Sequence, residues 1–273
     1  MRYDSRHQSS TGPSLIERLA RAEPVYSLGV RFSLTADIAR IASMAAYDLI
    51  WVDLEHSCMS MDAAGEILSC AHDLGLGAWV RVPENDFGSI GRLLDSGATG
   101  VIMPKVETAE QARRLAACCR FPPEGERSMI ARLPQSGFAK TPNTDLIEAA
   151  NRMTVCQALI ESRVGVSNAD AIAAVEGIDI LAIGMNDLTA DFGCPGDARN
   201  AEIISACQAV ANAAKRYNKI AVVGGVANEQ HFADMLKMGF APLVFAGIDT
   251  DIMADGVVSR RLRWSEALSG GGE

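Results

Sequence analysis

The sequence predicts an α/β fold, a (β/α)8 TIM barrel, from three observations. Apolar runs of strand length recur eight times, segments of helical period separate them, and the runs lack polar alternation, as strands of a parallel sheet covered on both faces must. The length of 273 residues, 48% of them hydrophobic, is the usual size of one such barrel. A doubly wound open sheet is the alternative arrangement of the same units.

The opening "MRYDSRHQSSTGPS" is polar and lacks an apolar core. It reads as a disordered tail over 1–13, neither signal peptide nor membrane span, before a single domain over 14–273. The first strand is "VYSLGVRF", followed by the helical stretch "TADIARIASMAA". "DLIWVDLE" leads to "DAAGEILSCAHDLG", "GAWVRVP" to "SIGRLLDSG", and "GVIMPKVE" to "AEQARRLAACCR". "TVCQALIE" leads to "NADAIAAVEG", "DILAIGM" to "AEIISACQAVANAAKRYN", and "IAVVGGV" to "NEQHFADMLKMG", before the last strand "PLVFAGI". Several helical stretches end in Gly just past the last periodic residue, a helix stop signal. Residues 122–150, with four prolines, break the rhythm. That long loop is expected to form part of the active-site wall.

Composition excludes several classes of function. A net charge of −9 without a Lys/Arg-rich stretch argues against a nucleic-acid partner and gives no reason for a membrane surface. Seven cysteines, an odd number with no CxxC pair, read as reduced thiols in a cytoplasmic protein. There is no Walker lysine loop and no GxGxxG opening a helix after the first strand. Small molecules are the expected partners.

In a barrel the chemistry lies at the C-terminal ends of the strands. There the sequence sets Arg31, then Asp53, Glu55 and His56, then Arg81, Lys105 and Glu107, Gln157 and Glu161, and Asn186 and Asp187. The run "WVDLEHS" stands out, because two acids and an imidazole at the end of a core strand are costly to desolvate without a partner, a metal or a task. A rim rich in carboxylates and lacking a His/Cys cluster suits Mg2+, Mn2+ or Co2+ rather than structural zinc. Lys105 keeps Schiff-base chemistry open, although an internal Lys105–Glu107 ion pair is an equal reading. The turn "GMNDLTADFG" would aim the free N–H groups of Gly184, Met185 and Asn186 at the pocket, or be no more than a capped helix.

The segments "DLEHS", "VRVPENDFGSIGRLLDSGATGVIMPKVETAEQAR", "RFPPEGER", "ALIES", "VEGIDILAIGMNDLTADFG", "GVANEQ" and "FAGIDTD" resemble the HpcH/HpaI aldolase/citrate lyase family. They are most similar to its metal-dependent class II aldolases acting on 4-hydroxy-2-oxoheptanedioate and related keto acids. The resemblance implies Glu161 and Asp187 as metal ligands, Arg81 at the pyruvate enolate, and His56 as base, oriented by Asp95. It also implies Asp53 and Glu55 beside the metal's waters. It further implies a homo-oligomer, a hexamer or a trimer, with the C-terminal helix exchanged between subunits.

These residues suit the cleavage or formation of 4-hydroxy-2-oxo acids, giving pyruvate and an aldehyde. Metal and guanidinium would stabilise the enolate charge where it forms, and an imidazole titrating near neutrality would take the hydroxyl proton. Two positions depart from the family, as does the run "RSMIARLPQSGF", which stands in place of the family's glycine-rich "RGxG". Leu159 stands where the aldolases carry glutamine, with Gln157 about 6–7 Å back on the same strand face. Arg31 is unusual at the end of the first strand, and would bind a second carboxylate or a phosphate on the acceptor. The alternatives are a citrate-lyase-β-like acyl-CoA lyase or thioesterase, an oxaloacetate decarboxylase, and a keto-acid-binding protein without turnover.

Overall fold

The computed structural model describes residues 14–226 and 228–269, so the expected tail over 1–13 lies outside the described residues. Eight parallel strands run β1 (Val25–Val30), β2 (Leu49–Asp53), β3 (Gly77–Arg81), β4 (Gly100–Met103), β5 (Val155–Ile160), β6 (Ile180–Gly184), β7 (Ile220–Gly224) and β8 (Leu243–Ile248). They pair in the order β7-β6-β5-β4-β3-β2-β1-β8. Ala241 N–H donates to Ala221 O at 2.7 Å where β8 approaches β7, so the barrel is nearly closed.

Alternate residues of each strand face opposite ways. Inward, Leu49, Trp51, Trp79, Ile102, Val155, Leu159, Ile180, Ala182, Val222 and Leu243 form the barrel interior. Outward, residues such as Ile50, Val52, Val80, Ile160 and Val223 meet the helices. Both faces are apolar, which is why the strands read as unbroken hydrophobic runs. Each fully buried Leu, Ile or Val is worth roughly 1.5–3 kcal/mol. The short helix α1 (Leu15–Ala20), capped by Ser14 and Glu17, contributes Leu15, Ile16 and Leu19 to the interior cluster.

The covering helices are α2 (Asp37–Met44), α3 (Met61–Asp73), α4 (Ile90–Asp95), α5 (Ala109–Cys119), α6 (Asn143–Met153), α7 (Arg163–Ser167), α8 (Ala169–Ala173), α9 (Met185–Asp191), α10 (Ala201–Arg216) and α11 (Glu229–Lys237). The last helix, α12 (Asp249–Ser269), is exposed at every residue from Asp251 onward. On β8, which α12 would cover if it folded back, Leu243 alone is buried.

The insertion at 122–150 corrects an expectation. It follows α5, which has already run back from the rim, so it lies at the N-terminal ends of the strands. Arg127 reaches Asp95 at 2.8 Å, Gln135 Nε2 donates to Leu94 O and Ala98 O, and α6 leads directly into β5. Within its own chain the insertion is not a wall of the rim pocket, which none of its residues line.

Candidate functional site

The rim is assembled by strand register. Leu49, Trp51 and Asp53 point inward in turn, and Asp53 pairs across the ladder with Arg81. Asp53 is fully buried and accepts five hydrogen bonds. Its Oδ1 takes Glu55 N–H (3.1 Å), His56 N–H (3.2 Å) and Arg81 Nε (3.0 Å). Its Oδ2 takes Arg81 Nη2 (2.7 Å) and Arg31 Nε (3.0 Å).

Burial opposes the Asp53 charge, yet the Arg81 hydrogen bonds and charge hold its carboxyl below the usual range. Five donors use the lone pairs a carboxylate offers. Asp53 therefore fixes Arg81 and the 54–57 turn.

Glu55 lies 3.2 Å from Arg81 Nη1, and its Oε2 is 3.7 Å from His56 Nε2. Burial raises the Glu55 carboxyl against the pull of Arg81 and His56, with Asp53 and Asp187 adding to the rise. His56 is half exposed at the mouth. The carboxylate beside it is Glu55. Asp95 does not orient His56 within this chain, because α4 runs back from the rim and its last residue pairs with Arg127 at the opposite end.

Glu161 directly follows β5, almost fully buried, its Oε2 accepting the Lys105 N–H at 3.0 Å. Burial pushes its carboxyl up to about 7, and Asp187 adds to the rise. A Cβ at Gly184 would meet the Glu161 side chain at its carboxylate and Cγ, so the glycine leaves that side chain its room.

Lys105 itself points to the surface, 3.6 Å from Glu84, and Glu107 accepts from the Ser162 hydroxyl at 2.6 Å. The expected Lys105–Glu107 pair is absent, and the Lys105 amine lies away from the pocket lining.

A cavity of about 360 Å3 gathers Arg31, Trp51, His56, Arg81, Gln157, Leu159, Glu161, Gly184, Met185, Asn186, Asp187 and Asp251 at the C-terminal end of the barrel. Sequence reasoning named most of these. It missed Trp51, and it missed Asp249, whose buried carboxylate accepts the N–H groups of Arg31 (2.9 Å), Phe32 (3.1 Å) and Ser33 (2.7 Å). The motif "FAGIDTD" carried that second signal.

Among the described residues no group of three or more His, Cys, Asp and Glu could enclose a metal. Glu161 and Asp187 still fit a divalent cation. They are two carboxylates in one cavity, Asp187 raising the cost of ionising Glu161, and they leave coordination positions open for oxygen donors of a substrate.

Residues 32–255 match the family model described as HpcH/HpaI aldolase/citrate lyase. The chain belongs to the HpcH/HpaI aldolase/citrate lyase family. A 4-hydroxy-4-methyl-2-oxoglutarate aldolase of Hapsidospora irregularis, tasA, is 33% identical over 85% of this chain and 87% of its own. A hydroxypyruvate/pyruvate aldolase of Delftia acidovorans is 36% identical over 68% of each chain. Among solved structures, an HpcH/HpaI aldolase from Desulfitobacterium hafniense superposes with a TM-score of 0.84 at 25% identity, covering 93% of this chain and 97% of that one. The barrel of this HpcH/HpaI member therefore carries its carboxylate rim on the same scaffold.

Proposed function

We propose that this protein is a divalent-metal-dependent aldolase that cleaves or forms 4-hydroxy-2-oxo acids through a pyruvate enolate, releasing pyruvate and an aldehyde or a second keto acid. The observation that carries the reading is the convergence of Glu161, Asp187, Arg81 and His56 on one cavity at the barrel's C-terminal end. The aldolase names of the relatives support it.

Glu161 and Asp187 would hold the ion, Mg2+, Mn2+ or Co2+, which supplies positive charge against the enolate oxygen. Arg81, held by Asp53, donates hydrogen bonds to that oxygen as charge develops on it. In cleavage His56 takes the proton of the C4 hydroxyl, the C3–C4 bond breaks, and its electron pair passes into the enolate. The same proton can return to C3. Glu55 Oε2 stands 3.7 Å from the Nε2 of that imidazole. The N–H groups of Gly184, Met185 and Asn186 receive the keto-acid carboxylate, and Arg31 meets a second carboxylate on the acceptor, as a substrate of the 4-hydroxy-4-methyl-2-oxoglutarate kind would carry.

The exposed apolar side of α12 and the bare outer face of β8 support a homo-oligomer, a trimer or hexamer, in which α12 covers β8 of a neighbouring copy. Seven free cysteines support a reducing, cytoplasmic setting. No described helix is long and apolar enough to cross a membrane.

The test is proton NMR of pyruvate in heavy water. Methyl-proton exchange is expected with Mn2+ or Mg2+ restored to stripped protein, and is expected to vanish with Glu161→Gln. Absence of exchange with every divalent ion, in folded protein, would sink the reading.

A further inference from the structure

The β1 ladder ends at Val30 against Val52 on one side and at Gly29 against Ile248 on the other, so the N–H groups of Arg31, Phe32 and Ser33 lie past both neighbouring strands. The exit's own apolar side chains do not seat it, since Phe32 is 61% and Leu34 58% exposed. One carboxylate holds it instead. Asp249, the first residue of α12 and itself buried, takes the Arg31 N–H on Oδ1 (2.9 Å) and the Ser33 N–H on Oδ2 (2.7 Å), and the Phe32 N–H meets both oxygens (3.1 Å each). Hydrogen bonds to a charged acceptor are the stronger ones, and three consecutive amides on one carboxylate leave the backbone little freedom. From this loop the Arg31 side chain enters the rim cavity, where its Nε is spent on Asp53 Oδ2 at 3.0 Å. Its Nη1 and Nη2 have no hydrogen-bond partner among the described residues.

We propose that Asp249 is a positioning residue for the acceptor half of the reaction. It sets the backbone of 31–33 so that the two terminal nitrogens of Arg31 face the acceptor's carboxylate, and it thereby sets the preference for carboxylated over uncharged acceptors. The inference rests on the keto-acid reading above and adds to it a residue outside the cavity lining. A guanidinium fork grips a carboxylate only when the two planes are in register, which a freely rotating ammonium does not need. With Nε fixed on Asp53, the remaining aim of the Arg31 fork is given by where its backbone stands, and Asp249 fixes that backbone. A direct charge effect would act the other way. A carboxylate behind the loop repels an anionic acceptor, so neutralising it would favour that acceptor. Positioning and charge therefore predict opposite signs for the isosteric Asp249→Asn, which keeps one acceptor oxygen and turns an NH2 toward amides that need an acceptor.

Aldol addition of pyruvate to matched acceptors, on Mn2+-loaded protein, tests this. The pairs are glyoxylate against 2-methylpropanal and 4-oxobutanoate against 4-methylpentanal, each exchanging a carboxylate for an isopropyl group of similar shape. The readout is the ratio of kcat/KM within a pair, in which a general loss of activity or stability cancels. The wild type is expected to favour the carboxylated member of at least one pair tenfold or more, and Arg31→Met to reduce that ratio at least fivefold. Asp249→Asn and Asp249→Ala are expected to reduce it at least fivefold as well, through the KM of the carboxylated acceptor, and to change it less than twofold in the Arg31→Met background. A wild-type ratio near one, or an unchanged ratio in Arg31→Met, overturns the inference. So does an Asp249→Asn ratio that is unchanged or raised, or a fivefold fall that persists in the Arg31→Met background. In the wild type itself, hydrogen exchange read by NMR is expected to show the amides of residues 31–33 protected at least a hundredfold, and unprotected amides overturn the inference with no variant needed. Pyruvate methyl-proton exchange without an acceptor preference overturns this inference alone, whereas no exchange with any divalent ion removes the keto-acid reading and this inference with it.

Discussion

Glu161 and Gly184 constrain each other across β5 and β6, since the glutamate fills the space a side chain at 184 would need. Gly184→Ala is expected to push the Glu161 carboxylate out of line and lower divalent-ion affinity at least tenfold, read by calorimetric titration, with an overpacking cost of about 1–3 kcal/mol in a urea melt. The raised Glu161 carboxyl, at about 7 against an ordinary 4.5, sets a pH dependence in stripped protein. Folding favours the protonated form, so this contribution is complete below about pH 4.5 and is lost as pH rises through 7. Stability of metal-free protein is expected to fall between pH 5 and 8 by up to about 3 kcal/mol from this group. Glu161→Gln should flatten that slope in chelator-treated urea melts at several pH values. Glu161 and Asp187 were legible as ligand candidates from "ALIES" and "GMNDL". That Asp53 spends its lone pairs on Arg81, Arg31 and the 54–57 turn was not, because hydrogen-bond partners on other strands leave no local pattern.

At the scale of the element, the "WVDLEHS" stretch is explained by alternation along β2. Trp51 and Asp53 share the inward face, and the chain turns as it leaves the strand, so Glu55 and His56 stand at the mouth. The β4 exit shows a second device. Lys105 takes φ 51°, a left-handed backbone that points its N–H at Glu161 while the side chain faces solvent. Lys105→Gly is therefore expected to keep pyruvate proton exchange within about threefold of wild type, since glycine adopts that backbone readily. Borohydride reduction with pyruvate is expected to leave no adduct detectable by mass spectrometry. A loss of more than tenfold in the glycine variant would return the amine to the chemistry. The sequence marked Lys105 by position at a strand end, but the direction of its side chain depends on one backbone dihedral that sequence does not display.

At the scale of the whole molecule, α12 stands away from its own barrel, with Ile252, Met253, Val257, Val258, Leu262, Trp264 and Leu268 exposed. Deleting residues 256–273 is expected to reduce the mass measured by light scattering to that of a monomer, while the wild-type chain elutes as a larger assembly. An unchanged mass would remove α12 from the interface. The sequence by itself determined the eight-unit barrel, because strands buried on both faces and helices with one buried stripe leave periodic traces within short windows. It also determined which carboxylates stand at strand ends. Proline-rich spacing does not show which end of the barrel a long insertion joins, and 122–150 lies at the N-terminal ends of the strands rather than at the rim. Only the tertiary structure decided that Asp95 and Arg127 meet at the far end, that Glu55 stands beside His56, and that Trp51 and Gln157 line one cavity. Those contacts join residues tens of positions apart, or turn on a single rotamer. They are set by strand register and barrel closure, physical facts that exist only once the chain has folded.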